Sequence, residues 1–132
     1  MAYNLYADGG ARGNPGPAAS GFVVYNGGEI IAREGKYLGV ATNNQAEYNA
    51  LLLGLEKARE LKITEIDCFL DSELVVKQLK LEYKVKNKDL AAIFLKVWNL
   101  SKKFKRIKFQ HIPREKNKEA DALVNEILDK HL

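Results

Sequence analysis

YNLYADGGARGNPGPAASG, residues 3–21, is the stretch from which the fold is read. Tyr3–Asp8 reads as a strand. Behind it, Gly9, Gly10, Gly13, Pro15, Gly16 and Pro17 interrupt regular structure, so a glycine-rich turn is expected from residue 9 onward. Phe22–Tyr25 and Ile30–Leu38 are the next two strands. Asn26-Gly27-Gly28 lies between them, and Asn-Gly between apolar runs is a strong hairpin signal, so this pair is predicted to be antiparallel.

Working outward, a helix is predicted from Asn43 or Asn44 to about Leu61, with Thr42, Asn43 and Asn44 all plausible caps. Leu51, Gly54, Ala58 and Leu61 recur at helical spacing and form a stripe able to face a sheet. Ile63–Leu70 follows as a strand and Ser72–Leu81 as a short helix. After a lysine-rich connection come a helix over Asp89–Phe104, a strand over Arg106–Ile112 and a helix over Glu115–Lys130. The last is apolar at Ala120, Leu123, Val124, Ile127 and Leu128. The order βββαβααβα implies an α/β fold, a mixed sheet covered by helices. No repeat or composition break divides residues 1–132, and a single domain is expected.

Composition narrows the chemistry. Hydrophobic residues make up 46% and charged ones 29%, as in an ordinary globular chain. No apolar run approaches the ~18 residues of a membrane span, and no signal-peptide pattern opens the chain. Cys68 is the only cysteine, which suits a reducing cytoplasm. With one cysteine and two histidines, His111 and His131, a zinc site of the Cys/His type is poorly supplied. A bound metal would sit on carboxylates, which favour Mg2+ or Mn2+. The net charge of +4 fits a polyanionic partner, with Lys77, Lys80, Lys84, Lys86 and Lys88 in one group and Lys102, Lys103, Lys105, Arg106 and Lys108 in another. From charge alone, a solvated surface explains these groups equally well.

Four carboxylates occupy unusual places. Asp8 closes the first strand, and Asp71 closes another directly before Ser72 caps a helix. Glu47 shares a helical stripe with Leu51, Gly54 and Ala58, so its carboxylate is aimed inward. Asp121 sits early in the last helix, at the edge of its apolar face. Each has an ordinary reading as a turn opener, helix start or edge residue. If the Asp8 and Asp71 strands are parallel neighbours, their carboxyl ends and the adjoining helix starts converge. Clustered carboxylates repel, and divalent cations relieve that repulsion; a pair ~3.5–4 Å apart can activate water and stabilise a leaving oxygen.

Taken in order, YADGGARGNPGPAASG (6–21), TNNQAEYNALLLGL (42–55), FLDSELVVKQL (69–79) and HIPREKNKEADAL (111–123) resemble the ribonuclease H family over essentially the whole chain. The resemblance implies a five-stranded mixed sheet with helices on both faces. It implies metal ligation by Asp8, Glu47, Asp71 and Asp121, and hydrolysis of the RNA strand of RNA–DNA hybrids to 3′-hydroxyl and 5′-phosphate ends. It also implies substrate contacts from the backbone of a Gly9–Gly10 turn, Asn14, Asn44 and Ser72, with Thr42 and Asn43 helping to hold a DNA phosphate. A 2′-hydroxyl both donates and accepts, which lets such polar groups tell RNA from DNA. For these residues capping and turn formation remain the ordinary alternative. A monomer is expected.

Three departures from the family pattern stand out. Glu73 occupies a position often held by glutamine and is assigned no contact. LKLEYKVKNKD (79–89) is too short for the basic helical protrusion of many members, so the chain resembles the compact type 1 form. His111 has the spacing of a catalytic histidine, but in FQHIP it ends a strand and its ring is expected to be packed. Arg114 is then the exposed loop candidate for assisting catalysis. Competing readings are a catalytically silent hybrid- or duplex-binding module, a nuclease acting on DNA junctions, and an actin-like ATPase domain. The first would be favoured by loss of a carboxylate, and the last needs a second domain.

Overall fold

The computed structural model describes residues 2–131. Among these, the chain forms β1 (Tyr3–Ala11), β2 (Gly16–Asn26), β3 (Glu29–Ala41), α1 (Asn43–Glu60), β4 (Glu65–Leu70), α2 (Glu73–Leu79), α3 (Lys88–Ser101), β5 (Arg106–His111) and α4 (Lys118–Lys130). A single 3-10 turn, Arg114–Lys116, precedes α4. The predicted order of elements is the observed one. The strands lie in one sheet in the order β3-β2-β1-β4-β5. β1, β2 and β3 are antiparallel, and β4 and β5 run parallel to β1.

The glycine-rich stretch departs from the prediction. Gly9 and Gly10 belong to β1, where they pair with Ser20 and Ala19, and Gly16 and Pro17 already belong to β2. Only residues 12–15 turn. Cross-strand pairing overrides the weak intrinsic preference of glycine here, and Pro17 is tolerated at the start of β2, where its carbonyl accepts from the Arg12 N–H at 2.8 Å. The Gly27-Gly28 hairpin is as expected, with Asn26 opposite Glu29.

Side chains alternate across β1. Leu5 and Ala7 face α1 and enter the main core with Val24, Leu51, Leu55, Ile66, Leu70, Val75 and Val97. Gly54 lets α1 settle onto the sheet, since a Cβ there would lie 2.6 Å from Leu5 Cδ1. α4 covers the opposite face of the antiparallel strands through Val124 and Leu128 against Ala19. Buried Ala120, Leu123, Val124 and Leu128 bear out the stripe read on the last helix. Leu61 does not complete the α1 stripe: it is the C-cap and is 43% exposed. The last helix also starts later than predicted, because Asn117 separates the 3-10 turn from α4.

Candidate active site

The parallel ladder between β1 and β4 stops at the pair Ala7 and Leu70. The next residues are Asp8 and Asp71, so the register delivers both carboxylates at the same level. Asp8 does not end its strand as predicted, since β1 continues against β2 with Asp8 opposite Gly21. It marks instead where β4 leaves β1. Asp71 is followed by α2, whose N-cap is Ser72, its hydroxyl accepting from the Val75 N–H at 3.3 Å.

Glu47 arrives from α1. Thr42 caps that helix in a capping box with Gln45: the Gln45 N–H donates to Thr42 Oγ1 at 3.1 Å, and the Thr42 N–H donates to Gln45 Oε1 at 2.8 Å. The first turn then rests on β1 and β2. The Ser20 hydroxyl donates to the Ala46 carbonyl at 2.6 Å, and a Cβ on Gly9 would overlap the backbone of Ala46 and Glu47. With no side chain at Gly9, Glu47 comes close enough for its Oε1 to accept from the Gly9 N–H at 3.0 Å. Oxygens of Asp8, Glu47 and Asp71 thereby lie within 4.8 Å of one another.

Three carboxylates so placed cannot all ionise freely. Burial pushes Asp8 up to about 7; its contact with Glu47 opposes the rise, and the charges of Asp71 and Asp121 add to it. Burial drives Glu47 well upward, followed by the charge of Asp8. Burial also raises Asp71, while the Asn117 amide and the Arg114 charge pull it back. A raised native pKa means that the native state keeps protons which the unfolded chain has released. The stability these groups contribute to the metal-free fold is therefore fully present below the ordinary carboxylate pKa of about 4, and it is lost as pH rises through about 7. Thermal melts in chelator should show the melting temperature falling between pH 5 and 8, with added Mg2+ or Mn2+ reversing the fall at the alkaline end. A metal-free melting temperature that climbs over that interval would contradict the coupling.

Asp121 stands beside this group rather than within it. It lies in the first turn of α4, and its Oδ1 accepts from Arg114 Nη2 at 3.4 Å, with Arg114 largely exposed. His111 is exposed at the end of β5, which corrects the expectation of a packed ring. It follows half-buried Ile107 and Phe109 on the same face of β5, as the last residue of that strand. Asn117 is a buried residue beside the carboxylates that sequence reading did not single out. It is 1% exposed, and its Nδ2 donates to the Ala7 carbonyl at 2.9 Å and to Asp71 Oδ2 at 3.3 Å. A lone asparagine in the run REKNK carries no signal that separates it from a loop residue.

The carboxylates open onto a cleft of about 380 Å³ lined also by Gly9, Gly10, Asn43, Asn44, Ser72 and Arg114. Gly9 and Gly10 line it as strand residues, not as a turn, and the Gly9 N–H is engaged by Glu47. The Asn43 side chain accepts from the Ala11 N–H at 2.8 Å, and Asn14 Oδ1 accepts from the Asn43 N–H at 3.0 Å, so both help fasten the β1–β2 turn to α1. Thr42 and Asn14 line an adjoining hollow with Asn44, Asn87 and the exposed Val40. Glu73 pairs with Lys77 at 3.7 Å, in keeping with its lack of an assigned contact. Residues 80–87 form no helix, as expected for a chain without the basic protrusion.

The donor set fits divalent cations. Every ligand offered is a hard carboxylate oxygen, and Glu47 Oε2 is buried with no hydrogen-bond partner, an arrangement that a cation would satisfy. Asp8, Glu47 and Asp71 would hold the metal, with Asp121 at the margin. Among the described residues no helix is long and apolar enough to cross a membrane.

Comparison with known proteins agrees with this geometry. A family model described as reverse transcriptase-like matches residues 6–127. The chain is 45% identical over 127 residues to a ribonuclease HI of Halobacterium salinarum, covering 96% of this chain and 64% of that protein. It is 42% identical over 127 residues to a bifunctional protein of Mycobacterium tuberculosis, covering 95% of this chain and 35% of the other. The chain thus spans about a third to two thirds of the length of these relatives. The crystal structure of RNase H1 from Halobacterium salinarum superposes with a TM-score of 0.95 at 43% identity, covering 98% of this chain and 99% of that one. LC11-RNase H1, solved in complex with an RNA/DNA hybrid, gives a TM-score of 0.93 at 42% identity, with 98% of each chain covered. With the sheet order, the carboxylates at the end of the parallel ladder and these likenesses in agreement, the chain belongs to the ribonuclease H family.

Proposed function

We propose that this chain is a metal-dependent endoribonuclease that hydrolyses the RNA strand of RNA–DNA hybrids, leaving 3′-hydroxyl and 5′-phosphate ends. One observation carries the reading: Asp8, Glu47 and Asp71 converge within 4.8 Å at the floor of an open cleft edged by short polar groups. The hybrid bound by the LC11 enzyme supports the choice of substrate. Bound Mg2+, or Mn2+ in its place, would supply an activated water and a stabilised leaving oxygen, most effectively as a pair ~3.5–4 Å apart.

The chain itself contributes binding and orientation. Ser72 uses a lone pair for its cap, so its hydroxyl proton is free to donate to a ribose. Asn44 and Asn14 offer amides to the substrate, and Thr42 and Asn43 help to hold a DNA phosphate. Gly9 and Gly10 expose backbone without side chains to obstruct the duplex. We take the chain to act as a monomer, and a lone, buried Cys68 suits a reducing cytoplasm. The test is a panel of labelled duplexes in Mg2+ or Mn2+. The hybrid should be cut in its RNA strand, whereas a DNA duplex should not. Binding of the hybrid with no cleavage in either metal would favour the silent binding module instead.

Arg114 lines the cleft and His111 does not, which supports Arg114 as the assisting residue. A guanidinium stays protonated and grips a phosphate through parallel hydrogen bonds, but it shuttles protons poorly. Its part is to stabilise charge or expel product. Under saturating hybrid, Arg114→Ala should lose roughly tenfold or more in turnover, with a smaller loss in His111→Ala. A near-normal Arg114→Ala beside a crippled His111→Ala would reverse the assignment.

A further inference from the structure

One buried residue, Asn117, links the segments that carry three of the four carboxylates. Asn117 Nδ2 donates to the carbonyl of Ala7, the residue before Asp8, and to Oδ2 of Asp71. The Asn117 backbone carbonyl accepts from the Asp121 N–H at 3.1 Å, and its backbone N–H donates to the Arg114 carbonyl at 2.9 Å. Asn117 thus touches the strand carrying Asp8, the carboxylate of Asp71, the helix start carrying Asp121 and the loop carrying Arg114. Ala7 is the last β1 residue paired with β4, so the amide bonds to the end of that ladder.

We propose that Asn117 is a positioning residue for the metal ligands: its amide fixes Asp71 in one orientation and holds β1, β4 and α4 at the spacing the cations require. The inference rests on the metal-dependent reading above. Stability alone explains the residue poorly. Its amide satisfies the Ala7 carbonyl, but Oδ1 is buried without a partner and the side chain makes no capping bond to α4, so the bond to Asp71 is not a by-product of helix capping. A donor held against one oxygen of a ligating carboxylate does what outer-shell partners do in metal sites: it sets the ligand's orientation, and its loss weakens the metal.

Mn2+ binding, measured calorimetrically without substrate, tests this. Asn117→Ala should weaken Mn2+ by roughly 10–100-fold relative to the unaltered protein. Hybrid affinity in chelator should stay within about twofold, and excess Mn2+ should restore part of the turnover. Asn117→Ser leaves a smaller void and a shorter donor; it covers the case in which the alanine variant fails to fold, and its Mn2+ affinity should fall between the two. Ile127→Ala, in the packing of α4 away from the ligands, supplies a destabilised control whose Mn2+ affinity should be unchanged. If both Asn117 variants melt lower yet bind Mn2+ within twofold of the parent, the role is structural and the proposal is overturned. If the unaltered protein itself binds no Mn2+, the metal reading fails and takes this inference with it. The two failures are therefore distinguishable.

Discussion

Asp71→Asn should fold, melt at a higher temperature than the parent in chelator, and lose roughly 10²–10³-fold or more of its hybrid cleavage. Asp8→Asn and Glu47→Gln should behave alike. Each substitution keeps the volume of the side chain and removes one charge from a group whose oxygens lie within 4.8 Å. In the metal-free protein that charge is a liability, since burial and like charges already raise Asp8, Glu47 and Asp71. Its removal therefore stabilises the fold while removing a ligand, the opposition of stability and function expected at a built site. Asp121→Asn should be milder, because Asp121 stands outside the tight group and an amide oxygen still coordinates a metal weakly. Cleavage rates and chelator melts on the same preparations check both halves. Full activity in Asp71→Asn would contradict the assignment.

Gly9→Ala should cost roughly 3 kcal/mol or more, lowering the melting temperature by about 10 °C. The added methyl would overlap the backbone of Ala46 and Glu47, and backbone cannot swing aside as the end of a flexible side chain can. Relief requires the first turn of α1 to lift from the sheet, stretching the Ser20 bond to Ala46 and drawing Glu47 from the Gly9 N–H. Activity should fall with stability. Gly10→Ala is the matched comparison: its Cβ would meet only Val124 Cγ1, at 3.8 Å, an ordinary contact. Its melting temperature should stay within a few degrees of the parent. Equal melting temperatures for the two variants would show that α1 does not lean on Gly9 as described.

Most of the architecture is legible in the chain because local and tertiary signals agree. The Gly27-Gly28 hairpin, the apolar stripe of α4 and the strand ending at Leu70 each follow from period or turn chemistry. The glycine-rich stretch misleads because composition says turn while pairing says strand. Gly9 is small for the sake of the helix lying against it, a reason that exists only in three dimensions. Asp8, Glu47 and Asp71 were identifiable because each breaks a local expectation, a charge at a strand end or on a buried stripe. Asn117 breaks none, and its meaning depends on Ala7 and Asp71, residues 110 and 46 positions away. The exposure of His111 is illegible for a related reason: alternation places a residue on a face, but only the elements packed on that face decide whether anything covers it.

The central claim is that Asp8, Glu47 and Asp71 form a metal-dependent centre for cutting RNA paired to DNA. It is tested most directly by following cleavage of an end-labelled RNA–DNA hybrid while the protein is stripped with chelator and then resupplied with Mg2+ or Mn2+. Cleavage of the RNA strand should vanish in chelator, return with either metal, and be lost in Asp71→Asn under every condition. RNA cleavage that persists in chelator at an undiminished rate would contradict it.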